Sequence, residues 1–418
     1  MPVVVGGRPE SKTQLMDVDA IVAEVAAAVG LAEGQSGVRD VLSAIRRTEP
    51  AAVREISRMA ELPVPLVAAV CNELRRRGVV DHTRPVRLTG AGREALGAGQ
   101  PDLSARCPTC DGLGLVIPAE LAGLAAQLES AAAGGPEAKP ELDQTHCTVA
   151  TKIHRVLRMH EAGALAGKRI LLLGDDDLIC VAIARFAAEL GLAGPVQQLT
   201  VVDADPDVLE WAGRQVAGTP VSVELVQHDL RRPLPGRLLG SFDVACTDPP
   251  YTVAGAELFL SRAVSALVPE PGQHVFFSFG ARRPAETLRT QEIIAGLGLA
   301  IRSLWPGFNQ YLGAGILAGT SNLYHLRSTA GTRPLIGGEH AGPLYTADQR
   351  AALTRPYRCA QCKAVQQVGP GSTWQRIADL QASGCPDCGA AVFRPMARTQ
   401  RPAQQKPQPL AQQEPPLR

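Results

Sequence analysis

Three adjacent carboxylates, Asp175, Asp176 and Asp177, follow the apolar run Ile170-Leu171-Leu172-Leu173 and one glycine, Gly174. A second apolar run ends in Asp248-Pro249-Pro250-Tyr251. An α/β sheet that holds nucleotides usually follows its first strand with a glycine-rich loop, because backbone N–H groups there must approach an anion. Negative charge occupies that place in this chain. The ligand group facing the loop is therefore expected to be a cation, an amine or a sulfonium, and not a phosphate or carboxylate. Asp203, closing Val201-Val202-Asp203, and Asp229, in Gln227-His228-Asp229, follow two further apolar runs. Ligands of open α/β sheets sit beyond the carboxyl ends of the strands. A carboxylate after the second strand can accept from both ribose hydroxyls, and one after the third stands where nucleoside enzymes often hold the adenine amine. Pro249 and Pro250 fix a turn that lets Tyr251 lie against the reacting group. Helix capping competes with each assignment: Asp177 could cap a helix opening near Leu178, and Asp205 one opening at Pro206. A cap needs one carboxylate, however, and three in a row repel one another.

Six of the ten cysteines stand in Cys-x-x-Cys pairs. Cys359-x-x-Cys362 and Cys385-x-x-Cys388 are separated by 22 residues, with Gly384, Pro386 and Gly389 supplying tight turns at the second pair. Two such knuckles can close a tetrahedral tetrathiolate site, for which zinc is the expected occupant; rubredoxin-like iron and a thiol redox pair are the alternatives. The role expected of the metal is structural, since about 40 residues cannot bury a large core unaided. Cys107-x-x-Cys110 lacks a second pair. His146, Cys147 or a second subunit could complete it, and a metal-free turn is an equal reading.

The elements that must position these residues alternate. Strands are expected at 170–173, 199–202, 221–226, 244–247 and 275–279, with helices at 150–162, 178–191, 206–217 and 256–268, as βαβ units require. The fold class is α/β: a methyltransferase-like doubly wound parallel sheet over residues 143–327. Ahead of it, residues 17–100 carry helical spacing at Ile45, Ile56, Met59, Leu62, Leu66, Val70 and Leu74. Leu62-Pro63-Val64-Pro65 makes a turn, and a short hairpin spans Val79 to Thr89. This pattern resembles an N-terminal winged helix-turn-helix domain, assigned a dimerisation or substrate-covering role. Residues 101–142 read as a cysteine knuckle, an Ala/Leu-rich helix over 119–133 and a linker. Residues 328–356 read as a connector, 357–397 as a C-terminal zinc-ribbon-like module, and 398–418 as a Gln/Pro/Arg-rich disordered tail.

The formal net charge of the 418-residue chain is +1. Bulk charge therefore drives it neither to nucleic acid nor to a membrane, and neither partner is expected. No apolar run reaches the ~20 residues of a membrane helix, and the N-terminus lacks the pattern of a secretion signal. A cytoplasmic enzyme, expected as a homodimer, is the default class.

Gly174-Asp175-Asp176-Asp177-Leu178, Asp229-Leu230-Arg231-x-Pro233-Leu234-Pro235, Phe242-Asp243-Val244-x-x-Thr247-Asp248-Pro249-Pro250-Tyr251-Thr252 and Leu258-Phe259-Leu260-Ser261-Arg262 together resemble the branched-chain polyamine synthase family. Gln144 to Thr148 and Phe308-Asn309-x-Tyr311 extend the likeness. The resemblance implies transfer of aminopropyl groups from decarboxylated S-adenosylmethionine, the co-substrate, to the secondary amine of a polyamine such as spermidine, releasing methylthioadenosine. It implies Asp176 or Asp177 as general base, Asp248 and Tyr251 as the groups that position the amine, and Gly174, Asp175, Asp203, Asp229 and Pro249 as donor-binding residues. The acidic loop agrees with that chemistry. Decarboxylation leaves the donor a cationic tail, which carboxylates welcome, whereas the same loop repels the carboxylate of ordinary S-adenosylmethionine. Two other functions fit parts of the chain: an amino-methyltransferase on nucleic acid, and a winged-helix regulator with a ligand-sensing domain.

Overall fold

The computed structural model describes residues 17–96, 107, 109–110, 112–192, 196–280, 284–313, 319–346, 348, 355–369 and 372–396. The tail expected over 398–418 lies outside these. The described residues fall into two compact units, divided after Thr346.

In the first unit, four helices come first: α1 (Val18–Val29), α2 (Gly34–Thr48), α3 (Val53–Ala60) and α4 (Val64–Arg76). Their apolar faces close one core around Val22, Val41, Ile45, Ile56, Val70 and Leu74. Isolated bridges pair Val80 with Leu88 and Ala51 with Val86, and α5 (Gly90–Ala95) follows, capped by Thr89.

The sheet holds seven strands: β1 (Arg169–Leu173), β2 (Gln198–Asp203), β3 (Val223–Gln227), β4 (Val244–Thr247), β5 (His274–Phe279), β6 (Leu299–Gln310) and β7 (Thr320–Ser328). Their order is β3-β2-β1-β4-β5-β7-β6. The first five are parallel, as expected, and their central members are apolar on both faces because helices cover both. The sheet is not wholly parallel, however: β7 runs antiparallel between β5 and β6. The long edge strand β6 escaped the sequence reading for a physical reason. It exposes Ile301 and Leu304, and register shifts flank Arg302 and the Pro306-Gly307 stretch, so no clean alternation survives.

Helices α7 (Val149–Glu161), α8 (Ile179–Glu189), α9 (Pro206–Val216), α10 (Val253–Ala266) and α11 (Pro284–Gly296) flank the sheet. Two stretches expected to lie outside the sheet domain contribute to it. Helix α6 (Ala122–Ala133) buries Leu124, Leu128 and Ala131 in the core shared with α7 and α8. Residues 336–346 form a strap that packs Leu344 into the opposite core and ties to α10, where Arg262 is fully buried and donates to the carbonyls of Leu230, Ile336 and Gly338. Among the described residues, no single helix is long and apolar enough to cross a membrane.

The second unit is a three-stranded antiparallel sheet, β10-β8-β9, made of β8 (Arg355–Cys359), β9 (Val365–Val368) and β10 (Phe393–Pro395), with one short helix, α12 (Ile377–Ser383). Its small core gathers Cys359, Val368, Leu380, Cys385 and Phe393.

Candidate active site and tetrathiolate centre

The carboxyl ends of β1, β2 and β4 meet at one edge of the sheet, and the acidic residues converge there. Gly174 leaves β1 with φ 71°, a left-handed turn that favours glycine. The three carboxylates that follow then separate in function. Asp175 turns inward, where its two oxygens accept from the backbone N–H groups of Ile179 (2.7 Å) and Cys180 (3.0 Å), the first donors of α8. The cap of this helix is thus Asp175 and not Asp177. Burial pushes the Asp175 carboxyl up to about 7 despite these hydrogen bonds.

Asp177 is also buried, but it faces cations. It accepts from Cys147 N at 2.5 Å and pairs with Arg155 Nη1 at 2.8 Å, while Lys152 Nζ donates to its backbone carbonyl. Burial opposes its charge, yet Arg155 and Lys152 outweigh burial and hold the carboxyl below the usual range. Asp176, between these two, is half-buried and borders open space. One oxygen accepts from Thr145 N at 3.1 Å. Burial and the charges of Asp177, Asp248 and Asp203 raise its pKa well above the ordinary carboxylate value.

Arg155 links the loops. Its Nη2 reaches Asp248 at 2.8 Å and Tyr311 Oη at 3.1 Å, and its Nε reaches Asn309 at 2.7 Å. Tyr311 donates to Asp248 at 2.5 Å. Burial and the Asp177 charge lift Asp248 to about 6, against the pull of Arg155 and Tyr311. Arg155 and Lys152 escaped the sequence reading as site residues. The available signal was their place on the apolar face of α7, where Ile153, Val156 and Met159 are buried beside them. Charges on such a face imply buried partners.

The Asp248-Pro249-Pro250-Tyr251 turn is held by close packing. Thr252 caps α10 through Gly255 N and donates its hydroxyl to Leu344 O at 2.8 Å. A Cβ on Gly255 would stand 2.4 Å from the Pro250 carbonyl, so only glycine lets α10 start this close to the turn. Pro249 is buried. The Tyr251 ring meets Phe279 and Tyr311 edge-on, at 5.7 and 6.3 Å between centroids.

Two clefts flank the Asp176–Asp248 pair. One, of about 520 Å³, is lined by Asp203, Ala204, Leu230, Phe259 and Tyr345. The other, of about 450 Å³, runs past Asp175, Asp177, Met159, Cys246, Phe276 and Leu323. Gly174, Asp176 and Asp248 border both. Asp203 accepts from Asp175 N and Asp205 N, both at 2.8 Å, and burial raises its pKa. Asp205 caps α9 and also pairs with Lys139 at 2.6 Å, fastening residues 139–144 beside the first cleft. Asp229 lines neither cleft; its carboxylate accepts from Arg231 N at 2.9 Å. The strap brings Tyr345 to the first cleft, with the Arg231 guanidinium 5.1 Å from its ring centre, and Thr346 is clasped by Asp143.

In the second unit, the four cysteine sulfurs lie within 4.8 Å of one another. Cys359 and Cys388 are 3.5 Å apart, as are Cys362 and Cys385. Tetrahedral zinc, at ~2.3 Å from each sulfur, would separate them by about 3.8 Å. Backbone amides of Cys362 and Gln361 face Cys359 and pull its thiol down to about 6, whereas hydrogen bonds with the other three thiols push Cys362 up to about 12. The donor set and spacing therefore fit a bound metal. Among the described residues no comparable group forms around Cys107 and Cys110. His146 meets the Asp176 carbonyl at 2.8 Å, and Cys147 is buried beside Lys152.

Residues 123–329 match the family described as branched-chain polyamine synthase A C-terminal domain. The chain is 32% identical over 378 residues to an uncharacterized protein of Methanocaldococcus jannaschii, spanning 90% of this chain and 92% of that one. It is 32% identical to N(4)-bis(aminopropyl)spermidine synthase of Thermococcus kodakarensis, spanning 68% of this chain and 80% of that one. The crystal structure of the branched-chain polyamine synthase from Thermus thermophilus in complex with N4-aminopropylspermidine and 5′-methylthioadenosine is similar at TM-score 0.63 and 27% identity, over 79% of this chain and 98% of that one.

Proposed function

Because the chain belongs to the branched-chain polyamine synthase family, we propose that it moves aminopropyl groups from decarboxylated S-adenosylmethionine to the secondary amine of a polyamine such as spermidine, releasing methylthioadenosine. The observation that carries this reading is the cluster of Asp176, Asp177, Asp203 and Asp248 around the two clefts. A cationic donor tail and a polycationic acceptor both gain from it, whereas a donor carboxylate would be repelled.

In this reading the cleft beside Asp203 takes the nucleoside. Asp203 accepts from the ribose hydroxyls, and Leu230, Phe259 and Tyr345 enclose the base. Asp175 keeps the loop in shape by capping α8. The acceptor nitrogen attacks the carbon next to the sulfonium in line with sulfur: the N–C bond forms, the C–S bond breaks, and its electron pair leaves on the neutral thioether. The proton released by nitrogen passes to Asp176. This carboxyl is the better base of the two candidates, because its surroundings raise its pKa while Asp177 is held low by Arg155. Asp248 and Tyr251 position the amine.

We further read α1–α5 with the Val80–Leu88 bridge as a winged helix-turn-helix that serves dimerisation or covers substrate, and the cysteine module as a ribbon held by zinc, which supplies folding energy and no reaction step. Titration calorimetry with the decarboxylated and the ordinary donor tests the assignment. Far tighter binding of the decarboxylated compound is expected, and equal or reversed affinity would sink it. Mass spectrometry of products from a polyamine panel then identifies the acceptor.

A further inference from the structure

A third cleft, of about 1000 Å³, lies between the last turn of α7 and strands β6 and β7, near the amino end of β5. The carboxylates gather at the other ends of the parallel strands. The cleft is lined by Arg158 and Glu161 of α7, Arg302 and Trp305 of β6, and His325 and Arg327 of β7. None of these residues borders either acidic cleft. Arg158 is fixed in place: it pairs with Glu161 at 2.8 Å, donates to the Leu113 carbonyl at 2.6 Å and lies 4.4 Å over the Trp305 ring centre. Its Nε is buried with no acceptor among the described residues. Arg302 and Arg327 have no carboxylate within salt-bridge distance among the described residues.

His325 is only 5% exposed, and its hydrogen bonds decide which ring nitrogen carries the proton. Arg327 Nη1 lies 2.8 Å from His274 Nε2 and 3.3 Å from His274 Nδ1. A guanidinium only donates, so the nearer nitrogen accepts and the His274 proton sits on Nδ1. That N–H donates to His325 Nε2 at 3.0 Å, which leaves the His325 proton on Nδ1. Burial and the nearby arginines push both rings down to about 4, so both stay neutral at pH 7. The relay thus ends at an N–H with no acceptor among the described residues, on a buried side chain that lines the cleft. Three guanidinium groups against the one Glu161 carboxylate leave two positive charges uncompensated. Buried donors without acceptors are costly unless something arrives to accept from them.

We propose that this cleft binds the phosphate group of a small molecule. A phosphate dianion matches the two free charges, and its oxygens can accept from the guanidinium groups and from His325 together. A lone carboxylate brings one charge and two oxygens. The volume is that of a small-ligand site, at the upper end of the ~300–1,000 Å³ range.

Titration calorimetry of the full-length chain with inorganic phosphate and with ribose 5-phosphate tests this, with methylthioadenosine present to occupy its own site. One anion per chain should bind with a Kd below about 1 mM. Tighter binding of ribose 5-phosphate assigns the cleft to a phosphorylated metabolite, and equal binding assigns it to free phosphate. Arg302→Glu should weaken binding about 10- to 100-fold, the loss expected for a charged hydrogen bond, and Arg302→Lys should keep most of the affinity. His325→Phe retains a ring to stack on Phe276, 4.7 Å away, but has no N–H, and should weaken binding over the same range. Arg302 is exposed, so Arg302→Glu should fold normally and keep its aminopropyl transfer, and it decides the matter if His325→Phe does not fold. No binding of either anion at about 1 mM, unchanged affinity in Arg302→Glu, or equal binding of acetate at matched ionic strength overturns the proposal.

Discussion

Asp176 and Asp177 are neighbours in the chain with opposite acid–base behaviour, and the difference comes from what each side chain faces. Asp177 is one of two carboxylates clamped by Arg155, whereas Asp176 has a single backbone donor and three carboxylates around it. Asp176→Asn should lower kcat by about 10²- to 10⁴-fold, the range for a lost general base, with an unchanged unfolding midpoint. Asp177→Asn should cost stability as well, about 3–5 kcal/mol in urea denaturation, because it strips a buried arginine of one partner. Asp203→Asn should chiefly raise the dissociation constant for the donor. The raised group as a whole makes a linked prediction. Asp175 at about 7 and Asp248 at about 6 lie above the ~3.9 of an unfolded aspartate. Between pH 4 and 7 these two carboxyls hold more protons in the folded chain without ligands than in the unfolded one, and the stability they contribute is lost as pH rises through that window, while His274 and His325, pushed down to about 4 by burial, act in the opposite sense. A bound cation favours the ionised carboxylates, so donor binding near pH 6.5 should release protons. Calorimetry in two buffers of different ionisation enthalpy measures this, and proton uptake would contradict it.

At the scale of elements, the reacting edge is set by strand ends and by two close approaches. Gly255→Ala should push the Asp248–Tyr251 turn away from α10, with a cost of about 1–3 kcal/mol and a fall in kcat greater than the rise in KM. A chain ending after Thr346 should retain activity, while one ending near Arg327 loses the strap that brings Tyr345 to the cleft beside Asp203, proposed above for the nucleoside, and should bind methylthioadenosine poorly. The parallel strands were legible in the sequence because Ile170–Leu173 and Val244–Thr247 are short apolar runs ending in acidic turns, and strand ends are where such sheets hold ligands. The strap was not. Residues 328–346 are rich in Gly and Pro and show no periodicity, and Leu344 is buried through a contact far along the chain. Arg155 was missed for a related reason: helical spacing marks a buried face, but which carboxylates will meet a cation there depends on strands more than 20 residues away.

The whole molecule joins a unit with two acidic clefts to a small, cysteine-rich unit. Metal analysis should find about one tightly held zinc per chain, and Cys359→Ser or Cys388→Ser should release it and unfold residues 355–396 while the larger unit melts unchanged. The four-cysteine spacing was legible from sequence because ligand geometry fixes it locally. Gly174, Asp176 and Asp248 border both clefts, and this shared wall has a consequence for traffic through the enzyme. In the proposed reading, donor and amine occupy separate sides of one carboxylate pair, so a spent nucleoside would be exchanged for fresh donor while the amine stays seated. Successive transfers to one nitrogen would then proceed without release of the half-finished product. Labelled spermidine chased with a large unlabelled excess after the first turnover should still emerge mostly as doubly substituted amine, and accumulation of the singly substituted amine would show that the passenger leaves between stops.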